Sequence, residues 1–97
     1  MRRPVIAGNW KMNTCQQSAG ELVTALAAEF SAPRDDVDVV VCPPAPYLAL
    51  VAEKASGSGV QVGGQNAWHE GPGAFTGETA CEMLTNIVCR WVLLGHS

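Results

Sequence analysis

The chain has 97 residues, of which 47% are hydrophobic and 15% are charged, and its formal net charge is −3. This composition is typical of a globular protein, and we assign residues 1–97 to a single domain or part of one. The six lysines and arginines are scattered along the chain, which argues against nucleic acid and membrane surfaces as partners.

The apolar stretches are far shorter than the ~20 residues that span a bilayer, so we expect a cytoplasmic protein. The four cysteines contain no Cys-x-x-Cys pair. We therefore expect free thiols in a reducing compartment and no metal site.

The first half of the chain predicts two strands that flank one helix. Residues 4–7 form a short β-branched strand, and residues 37–42 form a strand with nearly continuous apolar character, which is typical of burial on both faces. Residues 18–30 have helical spacing, with Ser18 and Glu21 as a predicted capping box at the start.

The second half continues the alternation. It predicts a helix, a short strand, a glycine-rich loop, a helix and a strand, at residues 47–55, 60–62, 63–78, 79–86 and 90–94. Thr79 and Glu82 are the predicted capping box of the last helix. The loop is longer than the 2 to 6 residues usual for a βα connection, so we expect it to be functional or disordered.

This βαβαβαβ order predicts a parallel sheet covered by helices, in which ligands bind at the carboxyl ends of the strands. Polar side chains are found at those positions. Asn9 and Lys11 follow the first strand, Gln65 and Asn66 the third, and His96 the fourth.

Each of these residues has an ordinary structural explanation, such as a solvated lysine, a turn asparagine or a surface histidine. Together, Lys11, Asn9 and His96 suit an anionic substrate whose carbonyl or enolate oxygen must be stabilised. None of the carboxylates directly follows a strand, so a catalytic base is missing. The sequence also lacks G-x-G-x-x-G and P-loop motifs, which weakens a nucleotide-binding function.

Five motifs in order along the chain resemble one enzyme family. "AGNWKMN", "CPP", "GGQN", "GAFTGE" and "WVLLGHS" occupy residues 7–13, 42–44, 63–66, 73–78 and 91–97. In this order and spacing they are similar to the triosephosphate isomerase family, over the whole length of the chain.

The resemblance implies an α/β fold, namely an incomplete (β/α)8 TIM barrel with its first three and a half βα units, ending after strand 4. It implies an enzyme of glycolysis and gluconeogenesis that interconverts dihydroxyacetone phosphate and glyceraldehyde 3-phosphate through an enediolate, without a metal or cofactor. Asn9 and Lys11 resemble the substrate-binding pair, with Lys11 also catalytic, and His96 resembles the electrophile that polarises the carbonyl.

The resemblance also implies a homodimer. Phe75, Thr76 and Gly77 resemble the tip of the loop that inserts beside the partner's active site. One departure from the family pattern is Val88, which stands where we expect a glycine.

Members of the family have about 250 residues, as such barrels do. The present chain therefore covers about two fifths of one, without the catalytic glutamate, the mobile lid or the phosphate-binding glycines. We expect the 97-residue chain alone to be inactive. We also expect it to be poorly folded or aggregated, because four parallel strands leave open edges. An independent small α/β binding domain and a non-enzymatic docking subunit are the alternatives.

Overall fold

A computed structural model describes residues 2–95 of the chain. It contains the strands β1 (Val5–Asn9), β2 (Asp38–Cys42), β3 (Val60–Gly64) and β4 (Trp91–Val92), the helices α1 (Gln16–Glu29), α2 (Leu48–Ala55) and α3 (Cys81–Asn86), and a 3-10 turn at Ala45–Tyr47. The predicted alternation of strands and helices is confirmed. Within the described residues, no helix is both long and apolar enough to cross a membrane.

The four strands form one parallel sheet in the order β1-β2-β3-β4. Val5 lies beside Asp38 at one end of the first strand pair, and Asn9 lies beside Cys42 at the other. Each strand is thus the spatial neighbour of the next strand in the chain, as in consecutive units of a β/α barrel. All carboxyl ends consequently lie at the same edge of the sheet.

The hydrophobic core lies between the central strands and the helices. Val41 and Val62 pack with Val23 of α1 and Val51 of α2, all of them buried. β2 is almost completely buried, as its continuous apolar pattern predicts. β1 differs, because all five of its residues are exposed and Ile6 is 63% accessible.

A hydrogen-bonded network crosses the amino-terminal end of the sheet. Arg3 forms an ion pair of 3.1 Å with Asp38, and the Gln61 amide donates to the same Asp38 carboxylate oxygen at 2.9 Å. The Trp91 indole N–H donates to the Gln61 amide oxygen at 2.7 Å. Four side chains therefore join the segment before β1 to β2, β3 and β4, and no local sequence pattern predicts this network.

Both predicted capping boxes are wrong. α1 begins at Gln16, with Cys15 as the residue before it, and the Cys15 N–H donates to the Ser18 hydroxyl at 2.9 Å. Ser18 therefore reaches back from the first turn and does not precede the helix.

α3 begins two residues later than predicted. The Thr79 carbonyl accepts a hydrogen bond from the Trp68 N–H at 2.8 Å, and Ala80 pairs with Trp68 in an isolated β-bridge. These contacts keep residues 79 and 80 extended, so that the helix begins only at Cys81.

The strand boundaries also differ from the prediction. β1 continues through Gly8 to Asn9, and β3 continues to Gly64. A Cβ on Gly63 would lie only 2.8 Å from the Cβ of Trp91, so glycine allows β3 and β4 to approach closely. β4 itself is shorter than predicted.

The segment after α3 explains why a glycine is expected at position 88. The Cys89 N–H donates to the Leu84 carbonyl and the Val88 N–H donates to the Thr85 carbonyl, which is the Schellman pattern of a helix end. Val88 has a φ of 64° in this motif. A β-branched residue therefore occupies a left-handed position that favours glycine.

Candidate active site at the carboxyl ends of the strands

Asn9, the last residue of β1, and Lys11, in the loop after it, are joined in a specific turn. The Asn9 side-chain oxygen accepts a hydrogen bond of 2.9 Å from the Lys11 N–H, two residues further on. This is the Asx turn that asparagine commonly forms. Below it, the Trp10 N–H donates to the Cys42 carbonyl at 3.1 Å, and so the turn is anchored to the end of β2.

Two residues of this loop have unusual backbone angles. Lys11 has a φ of 55° and Thr14 a φ of 82°, and neither is a glycine. Left-handed angles at non-glycine residues cost about 1–2 kcal/mol each and are frequent at functional sites, where the surrounding contacts impose them. The Asn13 amide also donates to the Trp10 carbonyl at 2.9 Å, which closes the loop around these residues.

Gln65 connects this loop to the rest of the sheet edge. Its side-chain nitrogen donates to the Lys11 carbonyl at 2.7 Å and to the Cys42 carbonyl at 2.9 Å. One amide group from the end of β3 therefore contacts both the loop after β1 and the end of β2. Its position after a predicted strand places Gln65 at this edge, but nothing in the sequence pattern indicates these two contacts.

The glycine pair before Gln65 has a steric reason. Gly63 allows the close approach of β4, and a Cβ on Gly64 would lie 3.0 Å from the Leu84 side chain of α3. Both glycines let the end of β3 lie tightly between its neighbours, and this places the Gln65 side chain within reach of Lys11.

Asn9 and Lys11 are both exposed, and among residues 2–95 Lys11 forms no ion pair. Within the same part of the chain, no carboxylate forms a hydrogen bond or ion pair with Asn9, Lys11 or Gln65. An exposed cation and an amide at one sheet edge can bind an anionic ligand and stabilise negative charge on it. Among the described residues, no carboxylate that could accept a proton contacts Asn9, Lys11 or Gln65.

His96, the predicted electrophile, lies outside the described residues. The residues just before it, up to Gly95, are described. The Leu93 N–H donates to the Gly64 carbonyl at 2.9 Å, so the chain after β4 still runs beside the end of β3. Gly95 then has a φ of 67°, a conformation that glycine adopts without strain.

The predicted dimer residues form a separate turn. The Glu78 N–H donates to the Phe75 carbonyl at 3.0 Å, and Gly77 has a φ of 87°. Phe75 lies 5.3 Å from the Trp68 ring between centroids, which anchors the turn to the base of the loop. No hydrogen bond of the described residues joins Phe75, Thr76 or Gly77 to Asn9 or Lys11.

Cys15 is an exposed thiol at the end of the same loop. It lies at the start of α1, with its sulfur 3.4 Å from the Ser18 hydroxyl oxygen. This hydrogen bond lowers the pKa of the Cys15 thiol below its usual value. Burial has the opposite effect on Cys42 and Cys89, whose thiol pKa values are raised.

No group of three histidine, cysteine, aspartate or glutamate side chains with the geometry of a metal site occurs between residues 2 and 95. Three open grooves of about 480, 520 and 880 Å³ lie along the helices, and Asn9, Lys11 and Gln65 line none of them. The candidate site is therefore an open edge of the sheet.

Consecutive parallel strands with helices between them, and with polar residues at their carboxyl ends, define this chain as part of a β/α-barrel protein. A family model described as "Triosephosphate isomerase" matches residues 4–97. The chain belongs to the triosephosphate isomerase family.

Comparison with curated proteins gives the same result. The chain is 46% identical to a triosephosphate isomerase of Moorella thermoacetica and 47% identical to one of Magnetococcus marinus. A triosephosphate isomerase of Herpetosiphon aurantiacus is 45% identical. In each case the alignment covers 100% of this chain and 38% of the relative. The chain thus spans about two fifths of the length of these relatives.

Proposed function

We propose that this chain is the amino-terminal part of a triosephosphate isomerase. The full-length enzyme would interconvert dihydroxyacetone phosphate and glyceraldehyde 3-phosphate through an enediolate, without a metal or cofactor, in the cytoplasm. The observation that carries the proposal is the exposed Lys11, fixed at the carboxyl end of β1 by Asn9 and Gln65. It supports a site for an anionic substrate where β/α barrels bind their ligands.

In this proposal the residues of the chain bind and polarise the substrate. Lys11 supplies positive charge to the phosphate and to the oxygen that becomes negative in the transition state. Asn9 orients the substrate and the Lys11 backbone. His96 donates a hydrogen bond to the carbonyl oxygen, and a neutral histidine in this role is the established arrangement of this enzyme family.

The proton transfer needs a base, and no described residue with a carboxylate contacts Asn9, Lys11 or Gln65. We assign it to a glutamate in the part of the enzyme beyond this chain. The 97-residue chain alone would then be inactive, although it carries part of the binding site.

The exposed apolar residues Val5 and Ile6 of β1 support a longer enzyme. Ile6 is 63% accessible and Val5 is 46% accessible, although both are strand residues in a β-branched run. In a closed barrel, the inward and edge positions of the first strand are covered by other strands. We assign this cover to the remaining strands of the same enzyme, and the loop tip at Phe75, Thr76 and Gly77 to the contact between two subunits of a homodimer.

The test uses the full-length enzyme that contains this chain and an assay of glyceraldehyde 3-phosphate isomerisation. Lys11→Ala should lower kcat/KM by about 10²–10³-fold, the usual effect of removing one group that stabilises transition-state charge. Lys54→Ala, at an exposed lysine of α2, is the matched control and should leave the rate unchanged.

The same assay decides between the alternatives. Wild-type activity at background level would refute the isomerase function and favour a binding domain or a docking subunit. Equal rates for the wild type and Lys11→Ala would refute the role of Lys11. Activity of the 97-residue chain above that of its His96→Gln variant would refute the assignment of the base to the missing part.

A further inference from the structure

We propose that Gln65 is a positioning residue for Lys11, which acts on the substrate site through the backbone of the loop after β1. This inference rests on the proposed function, because it assigns Gln65 a role in the site that contains Lys11. It adds a residue from directly after β3 to the pair Asn9 and Lys11.

Gln65 contacts Lys11 directly, although the two residues are far apart in the sequence. The Gln65 side-chain nitrogen donates to the Lys11 carbonyl at 2.7 Å across 54 positions of the chain. The same nitrogen donates to the Cys42 carbonyl at 2.9 Å. Both amide hydrogens are therefore used, and the two acceptors belong to the loop after β1 and to the end of β2.

The conformation of Lys11 gives this contact a purpose. With a φ of 55°, Lys11 has a backbone angle that a residue with a side chain avoids unless its surroundings impose it. Asn9 binds the N–H of Lys11 and Gln65 binds its carbonyl. The peptide groups on both sides of the Lys11 Cα are thus held, and they fix the direction in which the side chain leaves the loop.

The side chain at position 65 must be a donor. Both partners of its nitrogen are carbonyl oxygens, which only accept hydrogen bonds. A glutamate of the same shape would place a carboxylate oxygen against these carbonyls. Gln65→Glu therefore removes the contact while it keeps the volume, and Gln65→Ala removes both.

The strand that precedes Gln65 provides a matched control. Gln61 is a glutamine within β3, four residues before Gln65, and it contacts Asp38 and Trp91 at the opposite end of the sheet. Gln61→Ala should lower the thermal stability of the enzyme without changing its kcat/KM. A change caused by general loosening of β3 would appear in this control as well.

The experiment is a double-mutant cycle in the full-length enzyme with Gln65→Ala, Lys11→Ala and the double variant. Gln65→Ala and Gln65→Glu should each lower kcat/KM by about tenfold, the effect of losing a well-placed hydrogen bond. In the Lys11→Ala background, Gln65→Ala should cost less than about twofold, since a misplaced side chain no longer matters when that side chain is absent.

Binding of inorganic phosphate, measured by calorimetry, provides a second cycle that does not need turnover. Gln65→Ala should weaken phosphate binding in the presence of Lys11 and should have no further effect in Lys11→Ala. If the losses of Gln65→Ala are the same in both backgrounds, Gln65 does not act through Lys11 and the inference is overturned. An effect that disappears at high enzyme concentration would also overturn it, because it would indicate a role in subunit association.

The two proposals fail differently. A wild-type enzyme without isomerase activity refutes the proposed function, while the phosphate cycle still reports on the coupling of Gln65 to Lys11. An active enzyme with additive losses in both cycles refutes only the positioning role.

Discussion

Because Val88 has a left-handed backbone conformation, we expect the substitution Val88→Gly to stabilise the protein. Val88 is the second residue after α3, in a Schellman motif with a φ of 64°, and the residue is 64% accessible. For a β-branched residue this angle costs about 2–3 kcal/mol, at the upper end of the range for strained residues. Glycine adopts the same angle without that cost.

The gain from Val88→Gly is reduced by two losses. A glycine increases the conformational entropy of the unfolded chain, which costs about 0.5–1 kcal/mol. The exposed valine side chain buries only a small apolar area, and its removal costs about 0.5 kcal/mol of stability. The free energy of unfolding should therefore rise by about 1 kcal/mol, which corresponds to about 2–4 °C in Tm for a protein of the family's length.

Urea unfolding of the full-length protein measures this change as a shift of the midpoint at a constant slope. Gly57→Ala provides the reverse experiment, because Gly57 has a φ of 82° and no atom lies within 4 Å of the position of an added Cβ. It should lose about 1 kcal/mol from the backbone angle alone. A destabilised Val88→Gly variant beside a destabilised Gly57→Ala variant would refute the reasoning for position 88.

Two further substitutions test the packing of β3 against β4 and the cause of the lowered Cys15 pKa. Gly63→Ala should destabilise the protein by about 1–3 kcal/mol in urea unfolding, because the added Cβ would lie 2.8 Å from the Trp91 Cβ and force β3 and β4 apart; an unchanged midpoint would show that the strands separate freely. Ser18→Ala should raise the pKa of the Cys15 thiol, because the hydrogen bond with the Ser18 side chain is the largest cause of its lowered pKa. Since thiolate is the reactive form, the pH midpoint of Cys15 alkylation by iodoacetamide should move upward, and an unmoved midpoint would contradict this cause.

The regular elements were predictable because their signals are local. The continuous apolar run of β2 predicted its burial, and the alternation of patterns predicted the parallel sheet. The helix starts were not predictable in the same way. Thr79 has the sequence pattern of a cap, but its carbonyl is bound by the Trp68 N–H, and this contact keeps the segment extended. No pattern within residues 79–86 contains that information.

The candidate site also combines local features, which the sequence predicts, with long-range contacts, which it does not. Asn9 and Lys11 could be selected as candidates because they follow the predicted first strand, residues 4–7, and their mutual hydrogen bond spans only two residues. The contact of Gln65 with Lys11 depends on the alignment of three strands and on the absence of side chains at Gly63 and Gly64. Sequence position alone could place Gln65 at the sheet edge but could not identify its partner.

The balance of energies in the loop after β1 explains why Gln65 should affect the site more than the fold. The left-handed angles of Lys11 and Thr14 together cost about 2–4 kcal/mol. The hydrogen bonds that Asn9 and Gln65 make to Lys11, and the one from Asn13 to Trp10, contribute about 0.5–1.5 kcal/mol each. These opposing amounts are nearly equal. The loss of one hydrogen bond can therefore release the loop, while the sheet keeps its core between β2, β3 and the helices and its separate network at the opposite end.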